Sequence, residues 1–195
     1  MKSKLLDIAT VQAGYSFRSK IEQHEHGVPV IQMKDICPRD GIIWAQIIKT
    51  ALPGRPPSNW IENGNLLFLS KGNNNFSIYI EGVEEDTVST PHFFQIKVTD
   101  DTVLPEFLSW QLNQAPAQRY FDKSAEGATS RHIRKNVLES LTIVIPSIEQ
   151  QQEIIRLDKL FSDEARSFEQ LANNRQHIMN AIAEDLNSTN EGVSS

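Results

Sequence analysis

The side chains in this chain best suited to chemistry are amides and cations on short polar loops, and the chemistry they suit is the reading of a nucleic acid. Ser70-Lys71-Gly72-Asn73-Asn74-Asn75 sets three amides and a lysine on one turn. Asn can bond adenine in bidentate fashion, Lys and Arg bond guanine or phosphate, and Ser or Thr reach either. The same run is also ordinary turn chemistry, because Asn tolerates left-handed backbone. After Gly14, Tyr15 and Arg18 offer a second contact loop, with Phe17 between them expected in the core. A third follows Gly127. There Thr129, Ser130, Arg131 and His132 lead into Arg134 and Lys135 on the first turns of a helix, where side chains and helix N-terminus together suit phosphate. Lys123 precedes this loop and Lys34 closes a strand segment; both count as candidate DNA contacts. His92 reads equally as a contact or as a satisfied structural histidine.

Catalysis has less support. The chain contains no Walker A run, no Gly-x-Gly-x-x-Gly loop, no Cys-x-x-Cys pair and no Gly-x-Ser-x-Gly elbow. His24 and His26 flank Glu25, but no nearby His or Cys completes a zinc site. A metal-dependent nuclease needs paired carboxylates beside a lysine. Gln32-Met33-Lys34 and Gln95-Ile96-Lys97 keep only the lysine, with Gln where an acid is required. The expectation is a non-enzymatic chain that holds no metal and no cofactor.

The loops need a frame. Leu5 to Val11 suggests a strand or one helical turn, Val28 to Met33 a strand, and Gly41 to Ile48 another. Asn65 to Ser70 and Phe76 to Ile80 read as a hairpin around the Asn-rich turn, and Phe93 to Val98 adds a further strand. Pro105 opens an amphipathic helix to Asn113, Pro116 interrupts it, and a second piece runs to about Lys123. Ile133 to Ser140 is a short helix and Leu141 to Ile145 a strand. Strands first and helices after give an α+β domain with a mixed or antiparallel sheet, placed at residues 1–146.

From Pro146 the pattern changes to one uninterrupted helix, placed at residues 147–187 and followed by a polar tail at 188–195 expected to be disordered. Ile154, Leu157, Phe161, Phe168, Leu171, Ile178 and Ile182 fall at heptad spacing, flanked by Leu160, Ala165, Ala172 and Met179. At about 1.5 Å per residue such a helix is some 60 Å long, so its apolar stripe needs a second long helix to cover it. The chain offers no second one, which predicts an interface with another copy or another protein.

The net charge of −6 argues at first against a nucleic-acid partner. However, residues 149–195 hold four basic and nine acidic residues, which leaves 15 basic and 16 acidic in the rest. The acidity belongs to the helix. Within the domain, Arg119, Lys123, Arg131, Arg134 and Lys135 stand against only Asp122 and Glu126, a modest basic patch. The single cysteine, Cys37, excludes an internal disulfide. With no signal peptide and no run of eighteen apolar residues, the simplest expectation is a soluble cytoplasmic protein with no membrane partner.

Several segments together carry a resemblance. Gly14-Tyr15-Ser16-Phe17-Arg18-Ser19, Gly27 to Ile36, Gly64-Asn65-Leu66-Leu67, Leu69-Ser70-Lys71-Gly72, Gly127-Ala128-Thr129-Ser130 and Leu141 to Gln150 occur in this order before the long helix. In this the chain resembles half of the specificity (S) subunit of type I restriction-modification systems, with Asn65 where that family usually has an acid. The resemblance implies a target-recognition domain on a spacer helix, reading one half of a split double-stranded DNA site. It implies a methyltransferase (M) subunit and a restriction/translocase (R) subunit as partners, which hold the S-adenosylmethionine, ATP and Mg. It also implies a homodimer through the helix that would read an inverted repeat. The alternatives are a stand-alone DNA-binding defence accessory or regulator, and a coiled-coil protein adaptor.

Overall fold

The run Leu66-Leu67-Phe68-Leu69 is apolar at every position, which suits a strand covered on both faces. In the computed structural model this is its place. The structure describes residues 1–52, 54, 57, 59–72, 74–124 and 132–191, with the backbone alone at 186 and 188–191. The chain divides into two compact units, Met1–Ile155 and Arg156–Ser195.

The first unit opens with β1 (Lys2–Lys4), the single turn α1 (Leu5–Ile8) and β2 (Ala9–Ala13). Then come β3 (Val28–Ile31), β4 (Ile36–Cys37), β5 (Gly41–Ile42), β6 (Ile48–Thr50), β7 (Leu66–Leu69), β8 (Ser77–Tyr79), β9 (Val88–Ser89) and β10 (Phe93–Val98). Helices α2 (Pro105–Asn113), α3 (Ala115–Ser124) and α4 (Lys135–Glu139) follow, then β11 (Thr142–Val144) and the long helix α5 (Ile148–Glu191). The main sheet is antiparallel in the order β2-β10-β7-β8. A second sheet, β6-β3-β9, contains the parallel pair β3 and β9, so the α+β class with mixed and antiparallel sheets holds.

Strand periodicity divides β7 between two cores. Leu66 and Phe68 join Val11, Phe94 and Ile96 under α2, α3 and α4, while Leu67 and Leu69 join Ile31, Ile61, Ile78 and Phe93 on the opposite face. Two amides of α2 close strand edges. Asn113 accepts from Ser77 N at 2.8 Å and donates to Ser77 O at 2.8 Å, covering β8 at the edge of the main sheet. Gln111 makes the same pair of bonds to Val144 of β11, at 3.1 and 2.9 Å. Each amide acts as one residue of an added strand, which leaves less open edge for another chain to join.

β1 pairs with β11, and Gln151 then fixes the first turns of α5. Gln151 is fully buried. Its Oε1 accepts from Leu104 N at 2.8 Å and its Nε2 donates to Thr102 O at 2.8 Å and Pro146 O at 3.1 Å.

Four expectations change. The strand expected over Gly41 to Ile48 is broken by a 3-10 turn at Trp44–Gln46, where the indole N–H reaches Glu81 O at 3.1 Å. Pro116 does not interrupt a helix but sits in the first turn of α3, where its missing N–H costs nothing. Phe17 lies outside both cores, half-exposed, edge-on to Tyr15 at 4.9 Å. The helix α5 also continues to Glu191, past the expected start of the tail.

Candidate nucleic-acid interface

Ser70, at the end of β7, is where the separate loops meet. Its N and Oγ both donate to His92 O, at 2.9 and 2.8 Å. Its own carbonyl accepts from Ile133 N at 2.9 Å and lies 3.3 Å from His132 Nδ1. Lys71 forms an isolated antiparallel bridge with His132. The hairpin turn, the β9–β10 connector and the segment entering α4 are thus held at one place, although some sixty residues separate Ser70 from His132.

The Gly14 loop joins from the other side. Gly14 N donates to Phe93 O at 3.1 Å and Tyr15 N to Ser89 O at 2.7 Å. A side chain at Gly14 would collide with the carbonyls of Thr90 and Ser89, so glycine is required for this approach. Thr90 N donates to Ile31 O, which brings in the end of β3. Tyr15, Lys71, Gly72, His92 and His132 are therefore gathered around the ends of β7 and β9 and the start of β10. All five are partly exposed.

The charges at this site differ in how far they are committed. Lys71 has no carboxylate partner among the described residues and sits beside His92. Burial, and secondarily Lys71, hold the His92 imidazole below its ordinary value, so at neutral pH it presents one donor and one acceptor. Lys34 is exposed but bonded at 2.7 Å to Asp35, which is fully buried and also accepts from Gln32 N at 2.9 Å. Lys135 pairs with Glu139 at 3.5 Å. Arg18, Lys123 and Arg134 are exposed, with Arg134 at the N-cap of the five-residue α4.

Two expected contacts face inward. Ser70 is fully buried on His92, and Asn75 is buried with its Nδ2 donating to Leu69 O at 2.9 Å, a bond that shapes the turn. Asn74 is exposed. Asn73, Thr129, Ser130 and Arg131 lie outside the described residues. Sequence reading did not single out Ser89 and Thr90. Their hydroxyls, together with Gln32 Nε2, are buried with no hydrogen-bond partner among the described residues. A Ser-Thr-Pro run gives no warning of this.

The nuclease alternative gains nothing. Gln95 is buried and donates to Trp60 O at 2.7 Å while accepting from Asn59 at 3.0 Å, and Lys97 pairs with Glu62 at 2.8 Å. No group of three or more acidic, His or Cys side chains that could hold a metal occurs among the described residues. No helix among the described residues is long and apolar enough to cross a membrane. On α5, Leu157, Phe161, Phe168, Leu171, Ile178 and Ile182 are exposed, and Ile154 is half-buried.

The double-cored α+β frame thus gathers polar, partly exposed loops at one place, an arrangement suited to recognition. Comparison with known proteins agrees. The family model for the type I restriction modification DNA specificity domain matches residues 1–173, and the chain belongs to that family. This is a DNA-recognition class and not a catalytic one. No curated protein matches.

Solved structures with the same fold include a type I restriction-modification S subunit from M. genitalium, at 12% identity and a TM-score of 0.58 over 86% of this chain and 40% of that one. Another comes from work on complex assembly and conformational transition of a type I R-M system, at 15% identity and a TM-score of 0.59 over 86% and 39%. A third is an HsdS subunit from Thermoanaerobacter tengcongensis, at 15% identity and a TM-score of 0.51 over 86% and 37%. This chain spans about two-fifths of the length of each.

Proposed function

We propose that this chain reads one half of a bipartite double-stranded DNA site and directs a partner adenine methyltransferase and an ATP-dependent restriction subunit to it. Two copies joined through α5 would present two identical domains to an inverted repeat. S-adenosylmethionine, ATP and Mg belong to the partners, and the setting is the cytoplasm. In this reading Tyr15, Arg18, Lys71, Gly72, Asn74 and His92 reach the groove, and Lys34, Lys123, His132, Arg134 and Lys135 hold phosphates. Asn73, Thr129, Ser130 and Arg131 stay candidate DNA contacts from the sequence alone. Ser70 and Asn75 shape the turn from within.

The observation that carries the reading is the meeting of three distant loops at Ser70 in a chain whose family is a DNA specificity domain. The test is selection from a randomised duplex library by the chain assembled with its methyltransferase subunit, followed by sequencing of the bound DNA. An enriched inverted repeat of fixed spacing is the expected result. A complex that assembles but enriches no sequence overturns the reading.

A further inference from the structure

The seam of α5 carries two charges where its apolar stripe should continue. Phe161, Phe168 and Ile182 occupy one seam position of the heptad, and Arg175 falls among them. Leu157, Leu171 and Ile178 occupy the other, and Glu164 falls among these. The apolar members are 36 to 64 % exposed. Neither Glu164 nor Arg175 has a hydrogen-bond or ion-pair partner among the described residues, whereas Arg166, on the outer face of the same helix, pairs with Asp163 at 3.0 Å.

We propose that two copies of this chain pair through α5 antiparallel, in the one register that sets Glu164 of each copy against Arg175 of the other. The proposal rests on the paired-copy reading above and on the antiparallel packing of helices that the family resemblance implies, and it adds the register. In an antiparallel pair, fixing one facing couple fixes all of them. With Glu164 opposite Arg175, Leu157 faces Ile182, Phe161 faces Ile178 and Phe168 faces Leu171, and the two-fold axis passes between residues 169 and 170. Every apolar seam residue from 157 to 182 then meets an apolar one and every charge meets its opposite. Ala165 and Ala172 flank the centre and let the helices approach closely.

Other arrangements fail on the same residues. A shift of one heptad puts Arg175 against Leu157 or Leu171, and Glu164 against Phe168 or Ile182. A parallel pair in register stacks Glu164 on Glu164 and Arg175 on Arg175. An unpaired charge in a closed seam costs far more than a paired one, so the two charges act chiefly by rejecting wrong registers. In the favoured register the two Arg156 residues lie about 40 Å apart along the pair, at ~1.5 Å per residue, which sets the separation at which two recognition domains are attached.

The test uses the full chain in a Cys37→Ser background. The wild type should sediment at about 44 kDa, twice its 22.1 kDa. Leu157→Cys alone should form no disulfide on oxidation, whereas a mixture of Leu157→Cys and Ile182→Cys chains should cross-link. Glu164→Arg or Arg175→Glu alone should raise the dimer Kd by at least about 100-fold, and the double exchange should restore it to near the wild-type value. Self-cross-linking of Leu157→Cys, or a double exchange as weak as the singles, overturns the direction or the register while the paired-copy reading stands. A 22 kDa wild type overturns both, and the DNA selection above judges sequence reading separately.

Discussion

Replacing Gln151 by alanine removes a side chain that holds three main-chain groups of the first unit at once. Leu104 N loses its acceptor, and the carbonyls of Thr102 and Pro146 lose a donor. An unsatisfied buried donor costs about 1–3 kcal/mol, and each half-exposed carbonyl, which water can reach, adds roughly 0.5 kcal/mol. The sum is about 3 kcal/mol, which in a unit of this size lowers Tm by some 10 °C at roughly 2–4 °C per kcal/mol. Gln151→Glu does no better, because a carboxylate keeps the bond to Leu104 N but faces two carbonyls with no proton to give them. Gln150→Ala is the control. Gln150 is exposed and accepts from Ser147 N at 3.2 Å, so the change costs no more than about 0.5–1 kcal/mol. Differential scanning calorimetry on the three variants decides the matter. A Gln151→Ala protein melting within two degrees of the Gln150→Ala control would refute the claim that this amide fixes the start of α5.

Three further outcomes are expected. Lys71→Ala should weaken DNA binding about equally across sequences and lower the slope of log K against log salt by about one, since its main-chain bridge to His132 remains; fluorescence anisotropy over a salt series reads this. Gly14→Ala should cost about 1–3 kcal/mol by urea unfolding, because the added Cβ pushes on the Thr90 carbonyl, and should weaken DNA binding beyond the loss of stability. The His92 imidazole is held below the 6.5 of the free side chain, so the unfolded chain binds its proton more readily; the resulting stability is present above pH 6.5 and is lost as pH falls through the lower folded value. Urea unfolding at pH 7.5 and 5.5 should show that His92→Gln flattens this part of the pH dependence.

What the sequence revealed, and what it hid, follows from the range of the interactions concerned. The β7–β8 hairpin and α2 were legible because their signals are local: an apolar run beside a turn, and a proline ahead of an amphipathic stretch. The break at Trp44 was not, because the indole's partner is the carbonyl of Glu81, 37 residues away. Nothing in the local sequence around Gln111, Asn113 and Gln151 marks them out, and only the fold reveals that each amide is bonded to a distant main chain. The candidate site was legible as loops with suitable side chains. Their convergence on Ser70 was not, nor was the inward turn of Asn75, since one composition serves both a groove contact and a turn lock.

The kind of bond that assembles the site has a consequence for what it can recognise. Ser70 N to His92 O, Ile133 N to Ser70 O, Tyr15 N to Ser89 O and Gly14 N to Phe93 O are all main-chain bonds. They hold the loops together whatever side chains the loops carry, provided glycine stays at Gly14 and a small donor at Ser70. On the proposed reading, the side chains of Tyr15 and Lys71 can then change what is read without loosening the frame beneath them, because the two cores lie on the faces of the sheet and not in the loops. A scaffold whose loops were joined side chain to side chain would have to rebuild the joint with each new specificity. Here, on that reading, the joint is made chiefly by the main chain and the reading surface by side chains of the same loops.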